Sequence, residues 1–153
     1  MSEVPNVHDC ERLVLPGGGE ADIDVEIVPF VRAVWALGLA TGGCCQDLGE
    51  SIAANGTWTE EVRARHSGYY LGQAWVKMPV DDASELLGVL AAHPSFDGRR
   101  LRRWTSPGAW ENYVYLLPDD DGFGLASWAH LHFPKRQIGE VAALLEDVRR
   151  SRL

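Results

Sequence analysis

Cysteine is scarce in this chain, with 3 residues in 153, an odd number. A chain of this length can build its own hydrophobic core, so so small a set does not read as the disulfide framework that staples small secreted domains. The thiols are expected to be reduced, which places the protein in the cytoplasm. Cys44 and Cys45, as sequence neighbours, are poor partners for each other because a bond between them distorts the backbone. Basic charge is also short: 14 Lys and Arg face 22 Asp and Glu, for a net charge of −8. Gripping a phosphate backbone takes clustered cations that release counterions, so nucleic acid is not expected among the partners, whereas a basic protein surface suits the acidic balance. No apolar run approaches the ~20 residues that cross a bilayer. The start, Met1-Ser2-Glu3-Val4-Pro5, has neither the basic nor the apolar region of a signal peptide. No membrane partner is expected, and no solenoid-period repeat or low-complexity tract is present.

What is present is an ordinary globular composition, 46% apolar and 24% charged, the usual mark of a folded domain. One domain is expected over 1–153. Arg12-Leu13-Val14-Leu15 reads as a short strand, broken by Pro16-Gly17-Gly18-Gly19. A helix is predicted next, with Ile27, Val31, Val34 and Trp35 on one face, Asp22 or Asp24 as N-cap, Pro29 in the opening turn and Gly38 as the stop. Leu39-Ala40-Thr41 then leads as a short strand into the cysteines. From 47 to 67 the pattern is polar and irregular, a long loop of the kind that forms lids or binding segments, with Asn55-Gly56 as a turn.

Tyr69 to Met78 is rich in strand-favouring residues and ends at Pro79. Asp82-Ala83-Ser84-Glu85 resembles a capping box that opens a second helix through Leu86, Leu87, Val89 and Leu90. Two strands, Glu111 to Leu117 and Leu125 to Phe133, flank Pro118-Asp119-Asp120-Asp121-Gly122 as a hairpin. Pro134 opens a last helix whose stripe is Ile138, Val141, Ala142, Leu145 and Val148. The fold class predicted is α+β: a mixed or antiparallel sheet of four to five strands with about three helices packed mainly on one face.

Three constellations could carry chemistry. The first is Thr41-Gly42-Gly43-Cys44-Cys45-Gln46-Asp47, where the glycines remove bulk beside two thiols; a thiol becomes a nucleophile when a cationic neighbour lowers its pKa. The second is His130-Leu131-His132, whose strand period puts both imidazoles on one face with Trp128. The third is aromatic: Trp58, Tyr69, Tyr70, Trp75, Trp104, Trp110, Tyr113 and Tyr115, some of which are expected to line a pocket for an apolar or planar ligand through stacking and indole N–H donors. Beside it stands a basic knot, Arg99, Arg100, Arg102 and Arg103, followed by Trp104. Each constellation also has a purely structural explanation, as a core cysteine, a half-buried histidine pair, sheet-covering aromatics or a solvated loop.

Joined together, these residues define one expected site. Cys45, with Cys44 beside it, is the reactive thiol; His130 or His132 is the base; Asp47 or Glu50 orients the imidazole. Gln46, Asp47, Trp75 and Trp128 are the expected substrate contacts. The same cysteines and histidines make zinc a possible cofactor, although no Cys-x-x-Cys spacing supports it.

The run from Asp24 to Gln46, with Pro29-Phe30-Val31-Arg32-Ala33-Val34-Trp35, Gly38-Leu39-Ala40-Thr41 and Cys44-Cys45-Gln46, resembles a group of small uncharacterised actinobacterial and actinophage proteins. Their pattern is a short helix, Gly-x-x-Thr and then Ser-Cys-Gln, and His132-Phe133-Pro134 before an amphipathic helix is similar to their closing element. This chain has Cys44 where serine is common, and its middle is richer in tryptophan. The resemblance implies a recurrent fold and a recurring thiol at Cys45, and brings no chemistry with it. The expectation is a small ligand-handling protein, an enzyme if the thiol meets a histidine; the alternative is an interaction module with structural cysteines, and zinc binding comes third.

Overall fold

In the computed structural model, which describes residues 7–54 and 59–153, the Pro16–Gly19 break is the turn of a hairpin. It joins β1 (Cys10–Val14) to β2 (Glu20–Asp24). Gly18 and Gly19 take φ of 96° and 81° there, a region that L side chains avoid. No helix begins at Asp22, because Ala21 and Ile23 alternate with charged residues and pair with Leu13 and Glu11. A 3-10 turn at Val25–Ile27 then leads into α1 (Val28–Ala36), with Pro29 in its first turn. Gly38, at φ 81°, follows its end.

The cysteines lie within β3 (Gly43–Cys45) and not past the end of an earlier strand. The 47–67 stretch is largely helical, with α2 (Leu48–Ala54) followed by α3 (Glu60–Tyr70). Thr59 caps α3 by accepting from the Val62 N–H. No residue of α3 is buried, so it has no apolar stripe to announce it. Tyr69 and Tyr70 belong to its last turn, and the strand expected from Tyr69 starts only at β4 (Gln73–Pro79). The Asn55-Gly56 turn and Trp58 lie outside the described residues.

Next come α4 (Val80–Ala92), the short α5 (Arg99–Arg102), β5 (Glu111–Asp119), β6 (Gly122–Pro134), a 3-10 turn and α6 (Ile138–Ser151). The arginine knot is therefore a single helical turn and not a loop. Asp82 does not cap its own helix; its carboxylate accepts from the Ala40 N–H across the fold. The hairpin of β5 and β6 forms as expected.

The fold is α+β and antiparallel, in two sheets: β1-β2, and a four-stranded sheet ordered β3-β4-β6-β5. Six α-helices occur among the described residues, not three, and they flank both faces of the larger sheet. On one face Val76, Met78, Leu131 and Phe133 are fully buried with Phe30 and Val34 of α1, Leu86 and Leu90 of α4 and Val141 and Leu145 of α6. Burying side chains of this size is worth roughly 1.5–3 kcal/mol each, so this layer dominates stability. Helices α2 and α3 lie against the opposite face. Their backbones pass so closely that a Cβ on Gly49 would sit 2.3 Å from Leu71 Cα.

Candidate functional site

Antiparallel register arranges the chemistry-bearing residues in rows across the larger sheet. Cys45, Trp75, His132 and Glu111 form one row, and Gly43, Lys77, His130 and Tyr113 the next. Cys45 and His132 thus point to the same side, but β4 lies between them, about 10 Å at ordinary strand spacing. The structure does not bring Cys45 to either strand histidine. Cys44 faces the opposite way and packs against the core.

Cys45 has a different neighbour. Its Sγ lies 4.0 Å from His8 Nδ1 and 3.0 Å from Ser51 Oγ of α2. His8 Nδ1 is 3.0 Å from Asp24 Oδ2, and its Nε2 is 3.1 Å from Glu50 Oε2. Burial pushes the Cys45 thiol up to about 11, with hydrogen bonds from Ser51 and the Asp47 backbone opposing part of the rise. Cys44 is pushed up to about 12 by burial and then by the negative charge of Asp24. Both are thiols at neutral pH, the unreactive form.

The other residues of the cysteine turn hold structure together. The Gln46 N–H donates to Asp24 Oδ2, and its side-chain oxygen accepts from the Glu26 N–H. Asp47, 1% exposed, accepts from the N–H groups of Glu50 and Gly72 and pairs with Lys135 at 3.0 Å. Burial alone would raise its carboxyl, but these bonds lower it below the usual value. Gly42 and Gly43 leave room for tryptophans instead of a substrate: a Cβ on Gly42 would stand 2.5 Å from the Trp128 ring, and one on Gly43 3.2 Å from Trp75. Trp75 Nε1 donates to His130 Nδ1 at 3.1 Å, and Lys77 Nζ stands 5.0 Å from the Trp128 ring centre.

Further along the same sheet face, a cavity of about 440 Å³ opens between the end of α3, α5 and the paired strands β5 and β6. Its walls include Tyr69, Tyr70, Arg102, Trp104, Glu111 and His132, with Trp110 also lining it. No cysteine lines it. Trp110 is fixed from behind: it stacks on Phe133 at 4.3 Å and donates through Nε1 to Gln137 Oε1 at 2.9 Å. Gln137 is buried, and it also accepts from Arg100 and donates to the Gly108 carbonyl. One polar side chain thereby locks α6, α5 and the loop before β5 into register.

The polar groups of the cavity are unevenly satisfied. Glu111 accepts from the Tyr69 hydroxyl at 3.1 Å and from Tyr70 at 3.5 Å. Burial, and then Glu111, pushes the Tyr70 hydroxyl up to about 12. Arg99 and Arg100 are paired with Asp97 and Glu140, whereas Arg102 has no ion pair among the described residues. His132 is 2% exposed, sandwiched by ring contacts with Tyr70 at 4.7 Å and Tyr113 at 5.4 Å. Its Nε2 lies 3.1 Å from the Tyr113 hydroxyl, and its Nδ1 is the single buried side-chain polar atom without a hydrogen-bond partner among the described residues. Burial, and then His130, lowers its pKa to about 4, so the ring is neutral at pH 7.

Of the residues singled out in the sequence, His132 and four of the named aromatics meet at the cavity, while Cys44, Cys45, Gln46, Asp47, Trp75, Trp128 and His130 lie outside its walls. Sequence reasoning missed His8, Asp24 as a side-chain partner of Cys45, and Glu111; none belongs to a local motif. Arg102 was visible only as part of the basic knot.

Fold and cavity define a small α+β protein with an aromatic-walled cavity on an antiparallel sheet. No protein-family model, curated protein or solved structure matches the chain. No helix among the described residues is long and apolar enough to cross a membrane.

Proposed function

We propose that the protein binds a small planar molecule carrying a carboxylate or carbonyl acceptor in the cavity beside His132. The observation that carries this reading is His132, a cavity-lining residue whose Nδ1 is sealed from solvent and has no hydrogen-bond partner among the described residues, so that a ligand acceptor reaches it on a shift of the Tyr70 ring. A buried polar group left unpaired costs about 1–3 kcal/mol, which a ligand acceptor would recover. Arg102 adds an uncommitted cation and a planar stacking surface. Tyr69, Tyr70, Trp104 and Trp110 offer aromatic faces and edges, as sites for planar ligands do. The volume suits a ligand of one or two fused rings. Raised thiols and the intervening strand lend no support to a Cys-His nucleophile, so the reading is one of binding.

Isothermal titration calorimetry tests it. Indole-3-acetate is expected to bind saturably, with indole, which lacks the acceptor, binding at least about tenfold more weakly, one lost charge-assisted bond. Equal binding of the two, or unchanged affinity in Arg102→Ala, would sink the reading.

A second reading rests on a separate surface. Tyr115, Leu116, Leu117, Phe123 and Leu125 are 51–73% exposed on the outer part of the β5–β6 hairpin. Leu116, Phe123 and Leu125 share one face of that hairpin; exposed apolar residues grouped on one face mark interaction surfaces, and they keep a protein partner, basic by complementarity to the acidic chain, as the alternative. Replacing Phe123 and Leu125 with serine would abolish partner capture and leave indole-3-acetate binding intact.

A further inference from the structure

We propose that His8, Asp24 and Cys45 form a binding site for a divalent transition-metal ion of the zinc class. The three side chains come from separate places in the chain: the segment before β1, the end of β2 and the end of β3. One donor atom from each falls within 4.8 Å of the others. Nδ1 to Oδ2 is 3.0 Å and Nδ1 to Sγ is 4.0 Å. With metal bonds of about 2.0–2.3 Å, a tetrahedral site needs edges of roughly 3.3 to 3.6 Å. The first separation is about 0.3 Å short of that and the second about 0.4 Å long, while the whole set spans up to 4.8 Å, so the carboxylate and the thiol must draw in toward the ion to close the site.

The surroundings have the form that metal sites take. A ligating histidine ordinarily gives its second ring nitrogen to a carboxylate, which fixes the ring and raises its basicity. Glu50 occupies that place, 3.1 Å from His8 Nε2. The Gln46 N–H holds Asp24 Oδ2 at 2.9 Å, and Ser51 Oγ holds Cys45 Sγ at 3.0 Å. His8 is 6% exposed at its side chain. A second thiol, Cys10 Sγ, bonds instead to Asp24 Oδ1 at 3.5 Å and to the His8 carbonyl at 3.4 Å, outside the three-donor set.

Donor chemistry selects the metal. Thiolate and imidazole disfavour Ca²⁺ and Mg²⁺, which take oxygen; a sulfur, nitrogen and oxygen set suits Zn²⁺ and its neighbours. On binding, the Cys45 thiol proton and the proton shared between His8 Nδ1 and Asp24 pass to solvent, and no electron is transferred. The site is separate from the aromatic cavity and stands or falls independently of it.

Cobalt reports on it directly. Protein purified under reducing conditions and stripped with a chelator is titrated with Co²⁺ alone. A stoichiometric near-ultraviolet thiolate-to-cobalt band, bleached by Zn²⁺, is expected. Cys45→Ser removes the band and Cys44→Ser, whose thiol faces the core, retains it. Glu50→Gln, at a half-exposed residue that is not a ligand, keeps the fold and weakens affinity ~10–100-fold. Absence of the band in the wild-type protein, its survival in Cys45→Ser, or unchanged affinity in Glu50→Gln overturns the proposal. Circular dichroism of each variant confirms that a lost band is a lost ligand.

Discussion

The Tyr113 hydroxyl lies 3.1 Å from His132 Nε2 and itself accepts from Tyr115 at 3.4 Å. Tyr115 donates to the Tyr113 oxygen, and the tautomer in which Tyr113 in turn donates to Nε2 keeps the ring proton of His132 on Nδ1. The orphan in the cavity wall is then a donor, which is why an acceptor on the ligand is required. Tyr113→Phe releases this constraint. Stability should fall by about 1 kcal/mol, and indole-3-acetate affinity should drop about tenfold, since one such hydrogen bond sets the tautomer. A calorimetric titration beside a urea melt separates the two effects.

Acid should destabilise the protein through His132. Its pKa is about 4 in the fold against an ordinary 6.5. Between those values the unfolded chain takes a proton that the folded chain refuses, so stability is full above 6.5 and declines as pH falls toward 4. Two-dimensional NMR of the imidazoles is the check: His132 should titrate well below the ordinary 6.5, and a midpoint at the ordinary value would contradict its burial. Asp47 acts at lower pH: its depressed carboxyl contributes stability above the ordinary 3.8 that is lost as pH falls through its folded value.

Asp47 should matter more for folding than for binding. It satisfies two backbone N–H groups and Lys135 at once. Asp47→Ala is expected to lower stability by about 2–3 kcal/mol, the cost of leaving buried donors unpaired. Ligand affinity measured at a temperature where the variant is folded should fall less than stability does, because Asp47 touches the cavity wall only through the Gly72 N–H, between Tyr70 and Gln73.

Gly49→Ala should be more disruptive than a surface change from glycine to alanine. The new Cβ would meet Leu71 Cα at 2.3 Å and the Ser67 carbonyl at 2.5 Å, both backbone atoms that cannot rotate away. Overpacking of this kind costs about 1–3 kcal/mol. Thermal denaturation would read the loss, and α2 should separate from α3.

The thiols should label slowly. Cys44 and Cys45 have pKa values raised to about 12 and 11. Iodoacetamide at neutral pH, with mass-spectrometric mapping, is expected to modify both only after denaturation. Rapid modification of Cys45 in the native protein would restore it as a nucleophile.

Legibility in the sequence followed locality. The β5–β6 hairpin, α4 and α6 were readable because period, turn and proline signals coincide there. β2 was hidden because Glu20, Asp22 and Asp24 lower its strand character, while its real support is cross-strand: Arg12 bonds both Glu20 and Asp22. Tyr69 and Tyr70 look like strand residues, but they end a helix capped at Thr59, and their hydroxyls reach Glu111. His8 stands 37 positions before the cysteine it approaches, a distance over which no motif operates. The aromatic pocket was anticipated as a class of feature, and its position next to His132 depended on strand order, which periodicity does not reveal.

The most direct test of the central claim is a crystal structure of the protein soaked with indole-3-acetate. The account predicts the indole stacked among Tyr70, Trp104 and Trp110, its carboxylate on Arg102 and an acceptor oxygen within hydrogen-bond distance of His132 Nδ1. A cavity holding only an ordered water on Nδ1 at saturating ligand, with the indole elsewhere or absent, would contradict it.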